Sequence, residues 1–415
     1  MSKIKILAIS PDKHGIGKYR ILDPYKYIGD NYLNEFHVDI TFDTPMSDDY
    51  FKNYDIVVFH SYIHRHTHEV NINRIKWLKA QGIKVVMDID DFWIVDQNHP
   101  MYFDSKKENL SLKKFELLKI VDYITTTTPI FGKTIEDKIK NKNVFIFPNS
   151  IDENESQFIP KKITSDKVRF GWIGGSSHLH DIQLLSDGID DIFTNYKDKA
   201  QFVLCGFDTR GKITEYNPKT GESRTRDSLP SETVWSKYEK IFTKNYSIID
   251  EEYKKFLLNY NEKLTYDDKD KPYVRKWTKE INLYANNYNN FDVCLVPLVD
   301  KPFNVNKSQL KIIEAGFHKK AVIASEIGPY TLDLVSIIDN GVINDKGNAL
   351  LVNPKKNHKD WGKHMKRLIE NPKLIEDMGN RLYETVKDKY SLKTTSKNRT
   401  DFFKSIMIQN ITNVI

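Results

Sequence analysis

Val168-Arg169-Phe170-Gly171-Trp172-Ile173-Gly174-Gly175-Ser176-Ser177-His178-Leu179-His180-Asp181 is the stretch on which the fold turns. A strand-like apolar run ends at two glycines and hands over to a helical pattern near Leu179 to Tyr196. That is how a unit of a parallel α/β sheet begins. It follows a complete alternation of strands and helices, so the chain starts a second sheet at this point. Upstream, the strand-like runs are Lys3 to Ser10, His37 to Phe42, Asp55 to His60, Lys84 to Asp90, Tyr123 to Thr128 and Val144 to Pro148. Helical patterns lie between them at Glu69 to Gln81, Ser105 to Val121 and Pro129 to Lys140. Downstream, strands are expected at Gln201 to Phe207, Phe291 to Leu298, Ala321 to Ile327 and Ala349 to Val352. Helices are expected near Ser308 to Phe317 and His358 to Glu370, with two more at Lys373 to Lys389 and Ser396 to Gln409. The fold class is α/β, with two doubly wound Rossmann-like units in tandem. Such sheets bind ligands at the carboxyl ends of their strands, and two facing units would hold the ligand in the cleft between them.

The polar segment Asp152 to Asp166, with Pro160 and paired lysines, reads as the linker. It divides the chain into a first domain over 1–160 and a second over 161–389, with the final helix, about 390–415, packing back on the first. A polar stretch at about 207–280 interrupts the second domain, and Asn217-Pro218-Lys219-Thr220-Gly221 within it signals a hairpin turn. This size permits two or three domains. With 39% hydrophobic and 29% charged residues, the composition is that of a globular chain and excludes a disordered one. No apolar run approaches the roughly 18 residues of a membrane span. The apolar stretch Ile4 to Ile9 is too short for a signal-peptide core. Two cysteines, Cys205 and Cys294, sit in apolar runs and exclude a disulfide scaffold or a cysteine zinc site, so a reducing cytoplasm is expected. The net charge of +6 allows contact with phosphates or nucleic acid without demanding it. Only 18 glycines occur, which makes each glycine cluster informative.

Five segments carry chemistry-bearing residues. Asn306-Lys307-Ser308-Gln309-Leu310-Lys311-Ile312-Ile313-Glu314 opens a helix after a strand. Helix N-termini attract anions; Lys307 and Lys311 lie one turn apart and suit a diphosphate, and Glu314 one turn deeper suits ribose hydroxyls. Alternatively this is a solvated helix start. Gly174 and Gly175, with Ser176 and His178 beyond, allow backbone N–H groups to approach a phosphate. Asp88-Ile89-Asp90-Asp91-Phe92-Trp93 crowds three carboxylates at a strand end, to bind a metal, to do acid/base work, to hold hydroxyls or to cap a helix. His60, His64 and His68 have helical spacing, but a polar loop lining the site is the stronger reading than a metal cluster. Gly15-Ile16-Gly17-Lys18-Tyr19-Arg20 lacks the third glycine of a dinucleotide fingerprint; its glycines admit a substrate and Arg20 could meet a phosphate.

Taken together, these residues resemble the retaining GT-B glycosyltransferases of glycosyltransferase family 4, the group 1 glycosyl transferases. Phe147-Pro148-Asn149-Ser150-Ile151-Asp152 is similar to the family's Pro-Asn-Gly-x-Asp segment, with Ser150 replacing Gly. Asn306 to Glu314, followed by Ala321-Val322-Ile323-Ala324-Ser325, is similar to the Glu-x7-Glu region, with Asn306 in place of the first Glu. The family's Arg and Lys after the first strand of domain two are absent, and its His-Asp pair is Asp90-Asp91 here. The resemblance implies sugar transfer from a nucleotide-diphosphate sugar, a UDP-sugar such as UDP-glucose, to a hydroxyl with retention and no required metal. It implies catalytic roles for Asp90, Asp91, Lys307 and Glu314. Donor contacts would come from Gly15, Gly17, Arg20, Gly174, Gly175, Ser176, His178, Lys307, Ser308, Lys311 and Glu314. His60, Tyr62 and Trp93 would stand on the acceptor side, with hinge motion at 150–165. The acceptor would be a glycan, or a modified base in phage DNA if Arg224, Arg226 and Trp235 of the insertion grip nucleic acid. The rival readings are a metal-dependent GT-A transferase using Asp88 and Asp90, a nucleotide-sugar epimerase, and a non-catalytic binding protein.

Overall fold

The computed structural model describes residues 2–140, 143–161, 165–206, 212–216, 220–229, 232–243, 272–276, 279–339, 341–355 and 359–412. Two compact units make up the chain. Unit 1 comprises Met1–Ser156, Asp300–Ile313 and Thr385–Ile415; unit 2 comprises Gln157–Val299 and Glu314–Glu384.

Unit 1 is built on strands β1 (Ile4–Ile9), β2 (Phe36–Thr41), β3 (Ile56–His60), β4 (Lys84–Asp88), β5 (Tyr123–Thr126) and β6 (Asn143–Ile146), in the order β2-β1-β3-β4-β5-β6. All pairings are parallel. Because side chains alternate along a strand, each strand feeds two cores. Leu7, Ile9, Val57, Phe59, Val85 and Met87 meet the helices His68–Ala80, Leu110–Ile120 and Pro129–Lys138 on one face. Ile6, Ala8, Ile56, Val58 and Val86 meet Tyr25, Ile28, Phe402, Phe403 and Ile406 on the other. The last three belong to the C-terminal helix Leu392–Thr412. Thr67 and Thr128 cap their helices by accepting from Val70 N and Phe131 N. The single helix expected over Ser105 to Val121 is two, Tyr102–Lys107 and Leu110–Ile120, because Asn109 adopts a left-handed backbone with φ 53°.

Unit 2 contains β7 (Val168–Gly174), β8 (Ala200–Gly206), the antiparallel hairpin β9 (Lys212–Tyr216) and β10 (Ser223–Asp227), β11 (Tyr273–Arg275), β12 (Val293–Val296), β13 (Ala321–Ser325), the short pair β14 (Ile338–Asp339) and β15 (Val342–Ile343), and β16 (Leu350–Val352). Its six-stranded sheet runs β11-β8-β7-β12-β13-β16, again parallel. Strand β11 and the helix Val234–Thr243 lie inside the polar stretch at about 207–280 that was expected to interrupt the second domain. Trp235, Tyr238 and Phe242, at i, i+3 and i+7, form one apolar face and join the core with Trp172 and Phe202. The other part of that segment, 244–271, and the turn residues 217–219 lie outside the described residues. So do 162–164 of the expected linker. Gln157 and Phe158, just before them, are buried, and Gln157 accepts from Ala285 N. Gly206 has φ 142°, and a Cβ there would stand 2.0 Å from the carbonyl oxygen of Gly174. Only glycine lets β7 and β8 end this close together.

Residues 300–313 were expected in the second domain, yet they group with unit 1. Phe303 joins the unit 1 core and packs at a tilt against His99; Lys301 pairs with Asp96 at 3.0 Å. Asn149 donates to Ser308 Oγ, and Gln309 to the Tyr390 hydroxyl.

Each sheet has one topological switch point, where successive connections leave in opposite directions. It lies between β1 and β3 in unit 1 and between β7 and β12 in unit 2.

Candidate functional site

The first loop of unit 1 is locked before it reaches any ligand. Asp12 accepts from His14 N and Gly17 N, and Ser10 Oγ donates to the Asp12 carbonyl. A Cβ at Gly17 would approach that carbonyl oxygen to 2.0 Å. Residues Gly17–Leu22 then wind as a π-helix, a form that recurs at functional sites. Lys18 is buried against Asp23 and Glu155. Arg20 does not have the phosphate-binding role expected of it. It is buried, its Nε and Nη2 reach the two oxygens of Asp88 at 2.9 and 2.6 Å, and Nη1 reaches the Phe147 carbonyl at 2.6 Å. A guanidinium spent on a buried bidentate pair has no fork left for a diphosphate. Asp88 also accepts from Thr125 Oγ1 at 2.6 Å. The metal reading of Asp88 with Asp90 therefore loses one ligand. Among the described residues, no group of three or more His, Cys, Asp or Glu could hold a metal ion.

The ends of β3 and β4 carry the polar cluster of unit 1. His60 Nε2 lies 2.9 Å from Asp90 Oδ1, and His60 Nδ1 lies 3.0 Å from Ser61 Oγ. Lys114, on the helix Leu110–Ile120, donates to Ser61 Oγ at 3.0 Å. Burial works to raise the Asp90 carboxyl, but the charge and hydrogen bond of His60, with Arg20 and Lys114 behind them, hold it down at about 2. Burial lowers Lys114 to about 8 against the pull of Asp90, Asp88 and Asp91. Asp91 is open to water on one side and crowded on the others; the crowding raises its carboxyl, and Lys307 is the foremost opposing charge. Among the described residues, Asp91 and the second oxygen of Asp90 make no hydrogen bond. Lys307 Nζ stands over the Phe303 ring at 4.7 Å. Two segments far apart in sequence thus meet at one edge of unit 1.

The remaining histidines do not converge. His64 is buried, with Nε2 accepting from Arg74 Nε and Nδ1 on the Thr44 hydroxyl, while His68 pairs with Glu116. Tyr62 is half-buried beneath the Arg65 guanidinium. Trp93, expected on the acceptor side, is a core residue packed on Phe92 and Phe131.

In unit 2 the loop after β7 is held by Tyr238, whose hydroxyl accepts from His178 N and donates to the Gly175 carbonyl. A Cβ on Gly175 would meet nothing within 4 Å, and Ser176 is exposed, so the loop backbone has open space in front of it. His178 Nδ1 is 2.7 Å from Asp181 Oδ2, while Asp181 Oδ1 accepts from Val299 N beyond β12. That bond ties together the two loops of the switch point. Glu314 is buried and accepts from the Tyr288 hydroxyl at 2.9 Å. Lys311, three residues earlier, is half-buried.

Of the three insertion residues weighed for a grip on nucleic acid, Arg224 is the one that stays exposed. Trp235 is in the core, and Arg226 is held between Glu215 and Glu232. Sequence reasoning missed Ser61 and Lys114. Nothing local marks Lys114 among so many lysines, and the strained backbone of Ser61, φ 75°, has no sequence signature. No helix among the described residues is long and apolar enough to cross a membrane.

No protein-family model matches the chain, and no curated protein matches it by sequence. Solved structures do match along its length. Sucrose-phosphate synthase from Thermosynechococcus elongatus is 12% identical with a TM-score of 0.61, covering 99% of this chain and 100% of that one. Anabaena HepE, solved with UDP and glucose, is 11% identical with a TM-score of 0.60, covering 98% and 100%. A glycosyltransferase from Rickettsia africae is 12% identical with a TM-score of 0.59, covering 98% and 99%. At these identities the likeness establishes the fold: two Rossmann-like units of the GT-B type.

Proposed function

We propose that the protein is a glycosyltransferase that moves a sugar from a UDP-sugar, of the UDP-glucose kind, to an acceptor hydroxyl with retention. The observation that carries this reading is the full-length likeness to HepE, whose structures hold UDP, UDP with glucose, and UDP-glucose. The loops at the unit 2 switch point suit the donor. The open backbone at Gly175 and Ser176 takes the diphosphate, with Gly174 behind it and His178 beside it. Lys307, Ser308 and Lys311 bring positive charge and a hydroxyl to the leaving group, where charge grows in the transition state. Glu314, braced by Tyr288, serves the ribose. Unit 1 takes the acceptor through His60, Asp90 and Asp91. A glycan hydroxyl suits these carboxylates better than DNA, whose phosphates they would repel.

Calorimetric titration with UDP, UDP-glucose, GDP and ADP, each with EDTA, tests the donor. UDP and UDP-glucose should bind and the purine nucleotides should bind at least tenfold more weakly, roughly the discrimination that unpaired polar groups enforce. NMR of the sugar released to water or to an added glycoside reads the anomeric outcome. No binding of any nucleotide would end the transferase reading, and inversion would end retention.

A further inference from the structure

Lys114, Ser61, His60 and Asp90 form one continuous hydrogen-bonded chain, with successive links of 3.0, 3.0 and 2.9 Å. Its direction follows from its ends. A lysine ammonium only donates and an ionised carboxylate only accepts. Ser61 Oγ therefore accepts from Lys114 and turns its own hydrogen toward His60 Nδ1. A neutral His60 must then carry its proton on Nε2 and donate it to Asp90. The other charges facing this chain are Arg20 from the first loop and Asp88 and Asp91 from the end of β4, with Lys307 facing Asp91 in turn. Arg20 and Asp88 neutralise each other. Ser61 holds a left-handed backbone that serine adopts only when its surroundings impose it, and such strain gathers at functional positions.

We propose that Lys114 and Ser61 are positioning residues that hold His60 as the Nε2–H tautomer, so that Asp90 turns its second carboxylate oxygen, ionised, to the acceptor hydroxyl. The inference rests on the transferase reading and sharpens it. The acceptor presents a neutral hydroxyl donor here, as a sugar or other polyol does. In the transfer, the acceptor oxygen bonds to C1 of the sugar. The bond from C1 to the diphosphate oxygen breaks and leaves its electron pair on the diphosphate, which also takes the hydroxyl proton. Asp90 orients that hydroxyl by accepting its hydrogen bond, while the departing diphosphate takes the proton.

The first arm of the test needs no turnover. In protein labelled with 15N-histidine, long-range proton–nitrogen spectra assign the His60 tautomer, with His60→Gln identifying the signal. The wild type should show the proton on Nε2, and Lys114→Met and Ser61→Ala should shift His60 toward the other tautomer or a mixture. The second arm follows UDP release from UDP-glucose with water or a polyol as acceptor. Both variants should keep UDP affinity within about twofold while kcat falls roughly ten- to hundredfold, the worth of a hydrogen bond to a charged group. Lys114→Arg should restore most of the rate. Ser61→Gly should relieve the backbone and raise Tm without restoring kcat. An unchanged tautomer, or wild-type kcat in Lys114→Met, overturns the proposal. Failure of the wild type itself to bind UDP overturns the transferase reading instead, while the tautomer result stands on its own.

Discussion

Both switch points carry a histidine paired with an aspartate, and the two pairs are built in opposite ways. In unit 2, His178 and Asp181 are three residues apart across the start of the short helix Leu179–Gln183, and bonds to Val299 N and the Tyr238 hydroxyl anchor them. In unit 1, His60 and Asp90 come from different strands and are braced by Ser61 and Lys114, beside the buried Arg20–Asp88 pair. A local pair can adjust to a ligand at little cost to the fold. A pair assembled from separate elements cannot move without disturbing what joins them. Under the proposed transferase reading, the edge of unit 2 would take the donor and the edge of unit 1 would hold the acceptor hydroxyl in one orientation.

The largest effect expected from this contrast is on stability. Arg20→Ala strands the Asp88 carboxylate in a buried site, which costs about 3–5 kcal/mol. Urea denaturation should show that loss as a lower midpoint with an unchanged slope. A loss under about 1 kcal/mol would mean that the buried pair braces nothing and that the edge of unit 1 is no stiffer than that of unit 2.

The next effect is on pH dependence. Asp90 is held at about 2 in the folded protein, below the ordinary aspartate value of about 3.9. Its folded pKa is depressed, so the unfolded chain binds more protons between these values. The stabilisation is complete above pH 4 and is lost as pH falls toward 2. A shift of this size is worth on the order of 2 kcal/mol. His60→Asn removes the foremost opposing charge and leaves burial to raise the carboxyl. The variant should be less stable than wild type at pH 5, and the gap should narrow on acidification as the wild type loses its advantage. A gap independent of pH between 2 and 5 would show that His60 contributes packing and not charge.

How much of this was legible in the chain follows the same division. The strands were readable because β3, β4 and β13 are apolar on both faces, as buried parallel strands must be. The Gly174-Gly175 turn after β7 was readable because it is local in sequence, whereas its braces Tyr238 and Val299, 60 and 118 residues from the groups they hold, were not. Arg20 was misassigned because its partner Asp88 lies 68 residues away, and an isolated arginine after a glycine loop looks the same whether it meets a phosphate or a buried aspartate. Trp93 was misassigned for a similar reason, since an aromatic beside carboxylates does not announce which face it turns. The membership of 300–313 in unit 1 depends on Phe303 finding a core that no local pattern specifies. The strand β11 has only three residues inside a polar segment, too short for its alternation to register.

The smallest effect tests the unit 2 half of the comparison. His178→Ala removes a half-buried side chain whose loop is still held by Tyr238 through the backbone of residues 175 and 178. Folding stability should fall by about 1–2 kcal/mol, because the buried Asp181 loses its imidazole partner while keeping Val299 N. UDP affinity should fall roughly tenfold, the worth of one charge-assisted hydrogen bond. Asp181→Asn should do less to binding than His178→Ala. It keeps an acceptor for Val299 N and weakens only the orientation of the imidazole. If Asp181→Asn instead costs more stability than Arg20→Ala, the loop after β7 is the rigid element and the assignment of roles to the two units must be exchanged. If His178→Ala leaves UDP affinity untouched, the diphosphate is held by the glycine backbone and by Lys307 and Lys311 alone, and the resemblance between the two His–Asp pairs is one of form without a shared task.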